Sequence, residues 1–282
     1  REKNSSERTN FNNLYENAAE FCNPSADNIT KKKSKGMRDD EERITDIGIK
    51  SRRMFTAGMM SHLFPQGQHW IRIVTENRDL MKEDNVIRAL NQATVKFMRA
   101  IEDSNFYEEM GQCIDHCGYI GTTAIYCEST NKELLNFRSH YINQFYFCEN
   151  YLGRVDTVIR EFKITARQAL QQFGDDCPQH IAECAMHPKS ANKEFVILHF
   201  VLPRDTYIHN STIKSEKKIA SYYVDLKMKE IITESGFDEM PYAVARFYKT
   251  NFEKYGRSPA LEVAATLPMI NRMEVTRIRG AE

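Results

Sequence analysis

The sequence predicts an α+β protein, with helices and antiparallel sheet in its body and a long helix at its end. Apolar residues recur at helical spacing over residues 39–64 and 78–116. Between residues 118 and 248, runs of β-branched and aromatic residues alternate with glycine-containing turns, which is typical of strands. Helical spacing returns after residue 258, so we predict a mixed body followed by one helix.

We predict three parts along the chain. Residues 1–36 form an N-terminal arm with a short helix, residues 37–254 form the α+β body, and residues 255–282 begin the long helix. Of the 282 residues, 41% are hydrophobic and 28% are charged, so the chain can bury a sizeable core. Because it begins with Arg1 and its final helical pattern has no stop signal, we expect a piece of a longer protein.

The N-terminal part combines one apolar pattern with one basic run. The apolar pattern predicts a short amphipathic helix that Pro24 ends, and its members are Phe11, Leu14, Tyr15, Ala18, Ala19 and Phe21. The basic run at residues 31–36 could contact phosphate, but we favour a solvated loop because short like-charge runs are commonly exposed. Acidic residues at 39–42 begin the next helix, where the helix dipole favours them.

Two helical patterns and one short strand are predicted next. The helix over residues 39–64 ends before a proline, and a strand over residues 69–73 carries Trp70 as a core anchor. The pattern over residues 78–116 predicts two helices separated at Asn105.

Residues 118–127 predict a glycine turn that leads into a strand. Glycine-rich turns can bind phosphate, but such turns follow a strand and precede a helix. Here the order is helix, turn and strand, and no Lys-Ser or Lys-Thr pair follows. We therefore predict a structural turn.

The second half of the body is predicted to be mainly sheet. Residues 145–150 and 155–162 form a hairpin. Thr165 and Gln168 make a capping box that begins a short helix, and Gly174 ends it. Further strands are predicted over residues 194–203, 220–232 and 241–248.

One group of residues has metal-like spacing. Cys177, His180, Cys184 and His187 are spaced 3, 4 and 3 residues apart, which places them on one face of a helix beginning near Pro178. Thiolates and imidazoles bind zinc, so His180, Cys184 and His187 are the candidate metal ligands. One helix cannot easily surround zinc with four ligands, and we favour an ordinary half-buried helix.

The turn at residues 255–260 predicts a structural hinge formed by four residues. Gly256 can adopt a positive φ, Ser258 is a favourable N-cap, and Pro259 suits the first helical position, where its missing N–H costs nothing. Together with Arg257 they would begin a helix in a fixed direction. A proline within that helix should kink or restart it.

Charge and motif content argue against several functions. Lysine plus arginine and aspartate plus glutamate each number 39, so a broad basic surface that grips nucleic acid is not expected. The seven cysteines include no CxxC motif, which favours reduced thiols inside a cell. The sequence has no Walker-type loop, HExxH motif, dinucleotide fingerprint or nucleophile elbow. We therefore expect neither an enzyme nor a bound cofactor.

Taken in order, four stretches resemble the portal, or head-to-tail connector, proteins of short-tailed bacteriophages. They are residues 63–65 followed by Trp70, residues 118–126, residues 158–162 followed by the Thr165 helix, and residues 241–246 followed by residues 255–259 and a helix. The last stretch is the most specific, and together they cover most of the chain.

The resemblance implies a ring, usually of twelve identical subunits, at one capsid vertex of the virion, after assembly in the host cytoplasm. Double-stranded DNA would pass through it without sequence-specific contacts during packaging and ejection. Expected partners are the terminase motor, the major capsid protein and tail adaptor proteins, with no membrane. Residues 37–254 would be the wing and residues 255–282 the start of the stem, with a clip, a second stem helix and a crown beyond.

Two other interpretations stay open. The first is a metal-dependent enzyme or zinc-binding module built around residues 177–187. The second is an α/β interaction module with no channel, in which the helix after Ser258 packs on its own body.

Overall fold

A computed structural model describes residues 2–26, 29, 43–129, 134–209 and 211–281. The predicted α+β class is confirmed, because helices accompany a three-stranded and a five-stranded sheet. The helices are α1 (Glu2–Cys22), α2 (Ile47–Leu63), α3 (Asp84–Glu102), α4 (Phe106–Ile120), α5 (Ala166–Phe173), α6 (Gln179–Met186), α7 (Pro259–Glu262) and α8 (Thr266–Arg279). The strands are β1 (Thr122–Glu128), β2 (Asn136–His140), β3 (Phe145–Glu149), β4 (Val155–Thr165), β5 (Glu194–Pro203), β6 (Ile219–Asp225), β7 (Glu230–Phe237) and β8 (Tyr242–Arg246).

The chain divides into two compact units. Residues 1–9 with 142–242 form one, which we call the sheet unit, and residues 10–141 with 243–282 form the other, which we call the helical unit. None of the helices in the described ranges is both long enough and apolar enough to cross a membrane.

The sheet unit is built on a five-stranded sheet with strand order β3-β4-β5-β6-β7. All neighbouring strands in it are antiparallel, and the predicted hairpin of β3 and β4 is confirmed with Phe145 opposite Arg160. The helices α5 and α6 pack on it through apolar side chains that include Phe173, Ile181 and Ile197. The capping box of Thr165 and Gln168 is present, so the sequence signal for the start of α5 is confirmed.

Two buried polar side chains fix parts of the sheet unit. Arg8 donates to the carbonyl oxygens of Ile142 and Phe145 and, at 3.0 Å, to the Tyr146 hydroxyl. His199 lies with Nε2 2.9 Å from the Ser221 hydroxyl, and its pKa is lowered to about 3 by burial and, secondarily, by Arg160. A neutral imidazole is therefore part of this core.

The helical unit contains the three-stranded sheet β2-β1-β8 together with α2, α3, α4, α7 and α8. Helix α4 packs against α2, β1 and α7. A cluster of aromatic rings anchors the start of α4, where the ring centroids of Trp70 and Phe106 are 5.6 Å apart and those of Trp70 and Phe64 are 4.8 Å apart. Trp70 is only partly buried, so the predicted core anchor is confirmed in its ring contacts but not as a buried core residue.

Several predicted boundaries in the helical unit are wrong. Residues 43–46 precede α2 without regular structure, and residues 69–73 form no strand because they run beside α3, where the Ile73 N–H donates to the Thr94 hydroxyl. Helix α4 continues to Ile120, so only Gly121 forms the turn that was predicted over several residues. The basic run at 31–36 and the acidic residues at 39–42 lie outside the described residues.

The predicted strand over residues 220–232 is also wrong. The chain turns after β6, with Lys229 at φ 59°, and returns as β7 to make a hairpin. Continuous apolar alternation across the turn concealed this reversal. The predicted helix after Ser258 is interrupted at residues 263–265, and Pro268 lies in the first turn of α8, where its missing N–H has no helical partner to lose.

Candidate functional site

The predicted hinge lies inside the helical unit rather than on its surface. Tyr255 is 1% exposed and Ser258 is fully buried. The Tyr255 ring packs 5.7 Å from the ring of Phe11, measured between centroids. The hinge residues therefore have fixed surroundings that no solvated turn would have.

Gly256 is required for space rather than for a special backbone angle. A Cβ placed on Gly256 would overlap the carbonyl oxygen of Gly121 and come within 2.8 Å of the Arg246 Cβ. The φ of Gly256 is not positive, which differs from our expectation, whereas Gly121 has φ +85°. A Cβ on Gly121 would in turn lie 2.7 Å from the Ser258 nitrogen. We call this crossing of two glycine backbones the glycine clasp.

Hydrogen bonds donated by backbone N–H groups hold the glycine clasp closed. The Gly256 N–H donates to the Thr122 hydroxyl at 2.8 Å, and the Phe247 N–H donates to the Gly121 carbonyl at 2.9 Å. Tyr248 and Arg257 exchange two backbone bonds of 3.0 and 2.8 Å. The end of α4, the start of β1 and the segment before α7 are thereby joined at one point.

The Ser258 hydroxyl group fixes the start of α7 because it both donates and accepts a hydrogen bond. The hydroxyl donates to the Tyr119 carbonyl at 2.9 Å and accepts from the Leu261 N–H at 3.2 Å. Pro259 occupies the first helical position, so the predicted N-cap and proline pattern is confirmed. The cap is thus tied to the last turn of α4 as well as to its own helix.

Arg257 is engaged within its own loop. Its guanidinium donates to Glu253 through two bonds of 2.8 and 2.6 Å and lies 5.9 Å from the Phe11 ring centroid. This pairing lowers the pKa of the Glu253 carboxyl and raises the pKa of Arg257. The arrangement indicates a structural use of the Arg257 charge.

The helix that follows the clasp has a second attachment. The side-chain oxygen of Asn271 in α8 accepts from the N–H groups of Ile44 and Thr45 at 2.8 and 3.1 Å. Asn271 is buried, so these bonds lie away from solvent. The direction of α8 is therefore set at two points, the clasp and the Asn271 contact.

A buried polar network lies beside the clasp on α2 and α4. Asp115 accepts from Arg52 at 2.7 Å and from the Thr56 hydroxyl at 3.0 Å. Burial raises the pKa of Asp115 despite Arg52, and it raises the pKa of the Tyr119 phenol. The neighbouring His116 has a pKa lowered to about 4, mainly by burial and then by Arg52. The network keeps these helices together and offers no exposed reactive group.

The candidate metal residues do not assemble into a site. Cys177 and His187 flank α6 rather than lie in it, and the Nε2 of His180 is 2.9 Å from a carboxylate oxygen of the buried Asp225. Within the described ranges, no three His, Cys, Asp or Glu side chains are placed to hold a metal ion. The contact between His180 and Asp225 gives the histidine a structural role.

Sequence reasoning identified the turn but not its partners. The local residue types identify Ser258 as a cap, whereas Gly121, Thr122 and Tyr119 are distant in the sequence and enter only through the fold. A glycine-containing turn after a predicted helix, and a glycine two residues before a predicted cap, were the available signals. Neither signal states that the two backbones cross.

The fold and this site define an α+β protein with a buried junction at the start of its final helices, and comparison with known proteins gives the family. A family model described as bacteriophage head to tail connecting protein matches residues 1–282, so the chain belongs to that family. It is 23% identical over 279 residues to the portal protein of Salmonella phage epsilon15. The aligned region covers 98% of this chain and 50% of that protein. It is also 20% identical over 281 residues to the probable portal protein of Bordetella phage BPP-1, with the same two shares of 98% and 50%. The predicted family is thus confirmed, and the chain spans about half the length of the curated relatives it matches.

Proposed function

We propose that this chain is part of a portal subunit that forms a ring at one capsid vertex and joins head to tail. The match of the family model to the whole chain is the observation that carries this proposal. Identical copies related by a closed rotation make a ring without further components. Twelve copies is the number that the family resemblance leads us to expect.

In this proposal the role of the chain is structural rather than catalytic. Residues 37–254 would form the wing and residues 255–282 the start of the stem, with the glycine clasp as the hinge between them. The attachments at Ser258 and Asn271 hold the first turns of the final helices on their own body, so residues 272–281, none of which is buried, would be the part that projects as a stem.

The proposed ring is a channel for double-stranded DNA during packaging and ejection. The equal numbers of basic and acidic residues, 39 each, support a passage that does not hold many phosphates at once. The terminase motor, the major capsid protein and tail adaptor proteins are the proposed partners. The proposed location is the portal vertex of the virion, after assembly in the host cytoplasm.

Native mass spectrometry of the purified protein at micromolar concentration tests the proposal. We expect one closed oligomer, with a mass of twelve subunits and a central channel in negative-stain images. A monomer that persists when the capsid protein is added would overturn the ring. DNA binding that is tight and independent of salt would contradict a freely sliding channel.

A further inference from the structure

Phe252 has the most exposed aromatic side chain among the described residues. Its relative exposure is 108%, and its φ is +70°. A bulky residue other than glycine is disfavoured at positive φ, and such conformations persist where the surroundings enforce them. Exposure of the ring and strain of the backbone are both unfavourable in an isolated chain, so the position calls for an explanation.

The loop that carries Phe252 is held in place at its base. Tyr248 and Arg257 exchange two backbone hydrogen bonds, and Arg257 binds Glu253, the residue next to Phe252, through two further bonds. The Glu253 N–H also donates to the Thr250 carbonyl at 3.2 Å. Because the loop is ordered before any contact forms, a partner that binds it would lose little conformational entropy.

The same helical unit contains an apolar cavity of about 370 Å³. It opens between α2 and the α7–α8 segment, and its apolar lining includes Ile47, Phe55, Pro259, Val263, Leu267 and Ile270. Ile47 and Val263 are nearly half exposed, so apolar surface continues from the cavity to its rim. Arg52 also lines the cavity, but its charge is paired with Asp115.

The Phe252 loop carries a net positive charge, and an exposed carboxylate lies at the cavity rim. Residues 248–257 contain the basic Lys249, Lys254 and Arg257 and one acidic residue, Glu253, which pairs with Arg257. Glu262 is exposed directly before the rim residue Val263. An aromatic side chain with flanking lysines therefore matches an apolar cavity with a carboxylate at its rim.

We propose that Phe252 of one copy inserts into the cavity between α2 and the α7–α8 segment of the next copy. Phe252 does not fill the cavity of its own chain, because its ring is fully exposed. The protruding ring and the cavity are different surfaces of one unit, so each contact leaves one ring and one cavity available for further copies. Such head-to-tail contacts close into a ring when their rotation closes. This inference rests on the proposed ring and identifies the surfaces that form it.

The contact also links the neighbour to the hinge. Pro259 and Val263, which line the cavity, directly follow the Ser258 cap. A ring inserted there packs against α7 and holds it in the direction that the glycine clasp sets. Assembly and helix direction are thereby coupled in each copy.

Cysteine cross-linking tests the contact. Phe252→Cys combined with Val263→Cys in one chain should give a ladder of covalent oligomers on mild oxidation, because each copy carries both halves. A mixture of the two single variants should stop at covalent dimers. The unsubstituted chain and the pair Tyr151→Cys with Val263→Cys are the controls, since Tyr151 is 94% exposed but lies in the other unit.

A glycine variant separates assembly from folding. Phe252→Gly relieves the positive φ, so the thermal midpoint of the dissociated subunit should stay equal or rise. The protein concentration needed for assembly should rise by about 10- to 100-fold per contact, because burying one phenyl ring contributes a free energy of that scale. Tyr151→Gly should leave assembly unchanged.

The outcomes separate this inference from the proposed function. Rings that form normally but give no cross-link between positions 252 and 263 overturn the contact and leave the portal function standing. Cross-linking of position 252 to itself also overturns it, because the contact would then be symmetric. A protein that stays monomeric in all variants overturns both.

Discussion

The backbone of Gly256 passes the carbonyl oxygen of Gly121 so closely that no side chain fits between them. This contact joins the turn after α4 to the turn before α7. The junction consists of two glycines, the Thr122 hydroxyl and the Ser258 cap, and together with the Asn271 contact it sets the direction of the final helices. Substitutions at the junction should act through helix direction and stability.

Gly256→Ala should lower the free energy of unfolding by about 3 kcal/mol, because its methyl group forces the crossing backbones apart in a packed interior. Gly256→Val should lower it further and also disturb ring assembly or channel width. Urea denaturation at constant protein concentration measures the first effect, and native mass spectrometry measures the second.

Gly58 provides the matched control for Gly256. It lies inside α2, and a Cβ there meets nothing within 4 Å. Gly58→Ala should therefore raise the free energy of unfolding by about 0.5–1 kcal/mol through helix propensity. Equal effects of alanine at both glycines would show that the crossing imposes no spatial constraint.

Gly121→Ala should be more damaging than a positive φ alone can explain. At Gly121 the added methyl group meets the Arg257–Ser258 backbone, whereas at Gly67, with φ +74°, nothing lies within 4 Å. Gly67→Ala should cost about 1 kcal/mol for the backbone angle, and Gly121→Ala should cost that amount plus about 2 kcal/mol for the overlap. Parallel denaturation curves of the two variants give the difference, and a difference near zero would argue against the clasp.

Ser258→Ala should lower the free energy of unfolding by about 2 kcal/mol. The variant removes the N-cap acceptor of Leu261 and leaves the buried Tyr119 carbonyl without its donor. Ser61→Ala is the control, because the exposed Ser61 hydroxyl contacts only groups of its own helix, the Gly58 carbonyl and the His62 Nδ1. Its effect should stay within about 0.5 kcal/mol.

Local chemistry in the sequence predicted the parts of the structure that depend on neighbouring residues. The capping box at Thr165, the hairpin before it and the Ser258–Pro259 helix start all follow from residue types within a few positions. The family resemblance drew in part on the same stretches and is confirmed by the whole-chain match.

The errors arose where distant contacts decide the local structure. Residues 69–73 have strand-like composition, but an α3 hydroxyl takes the Ile73 N–H that a strand partner would need. Gly256 was singled out because glycine can adopt a positive φ, but what the position requires is space beside Gly121. No spacing rule contains either partner, so the sequence alone could predict the capped start of α7 but not the clasp.

Stability should fall as the pH drops from about 6.5 toward 5, because His199 and His116 stay neutral in the folded state. Their folded pKa values are lowered to about 3 and about 4, below the ordinary histidine value of 6.5. Below pH 6.5 the unfolded chain binds protons that the folded chain excludes, so each histidine lowers the free energy of unfolding by up to about 1.4 kcal/mol per pH unit. The loss continues until the pH reaches each folded pKa, and no loss from these groups occurs above pH 7.

His199→Gln removes one of the two titrations, so the slope of the unfolding free energy against pH should become shallower between pH 6 and 5, even if the variant is less stable at pH 7. Denaturation series of both proteins at constant ionic strength measure the slopes, and identical slopes would show that His199 does not exclude its proton in the folded core.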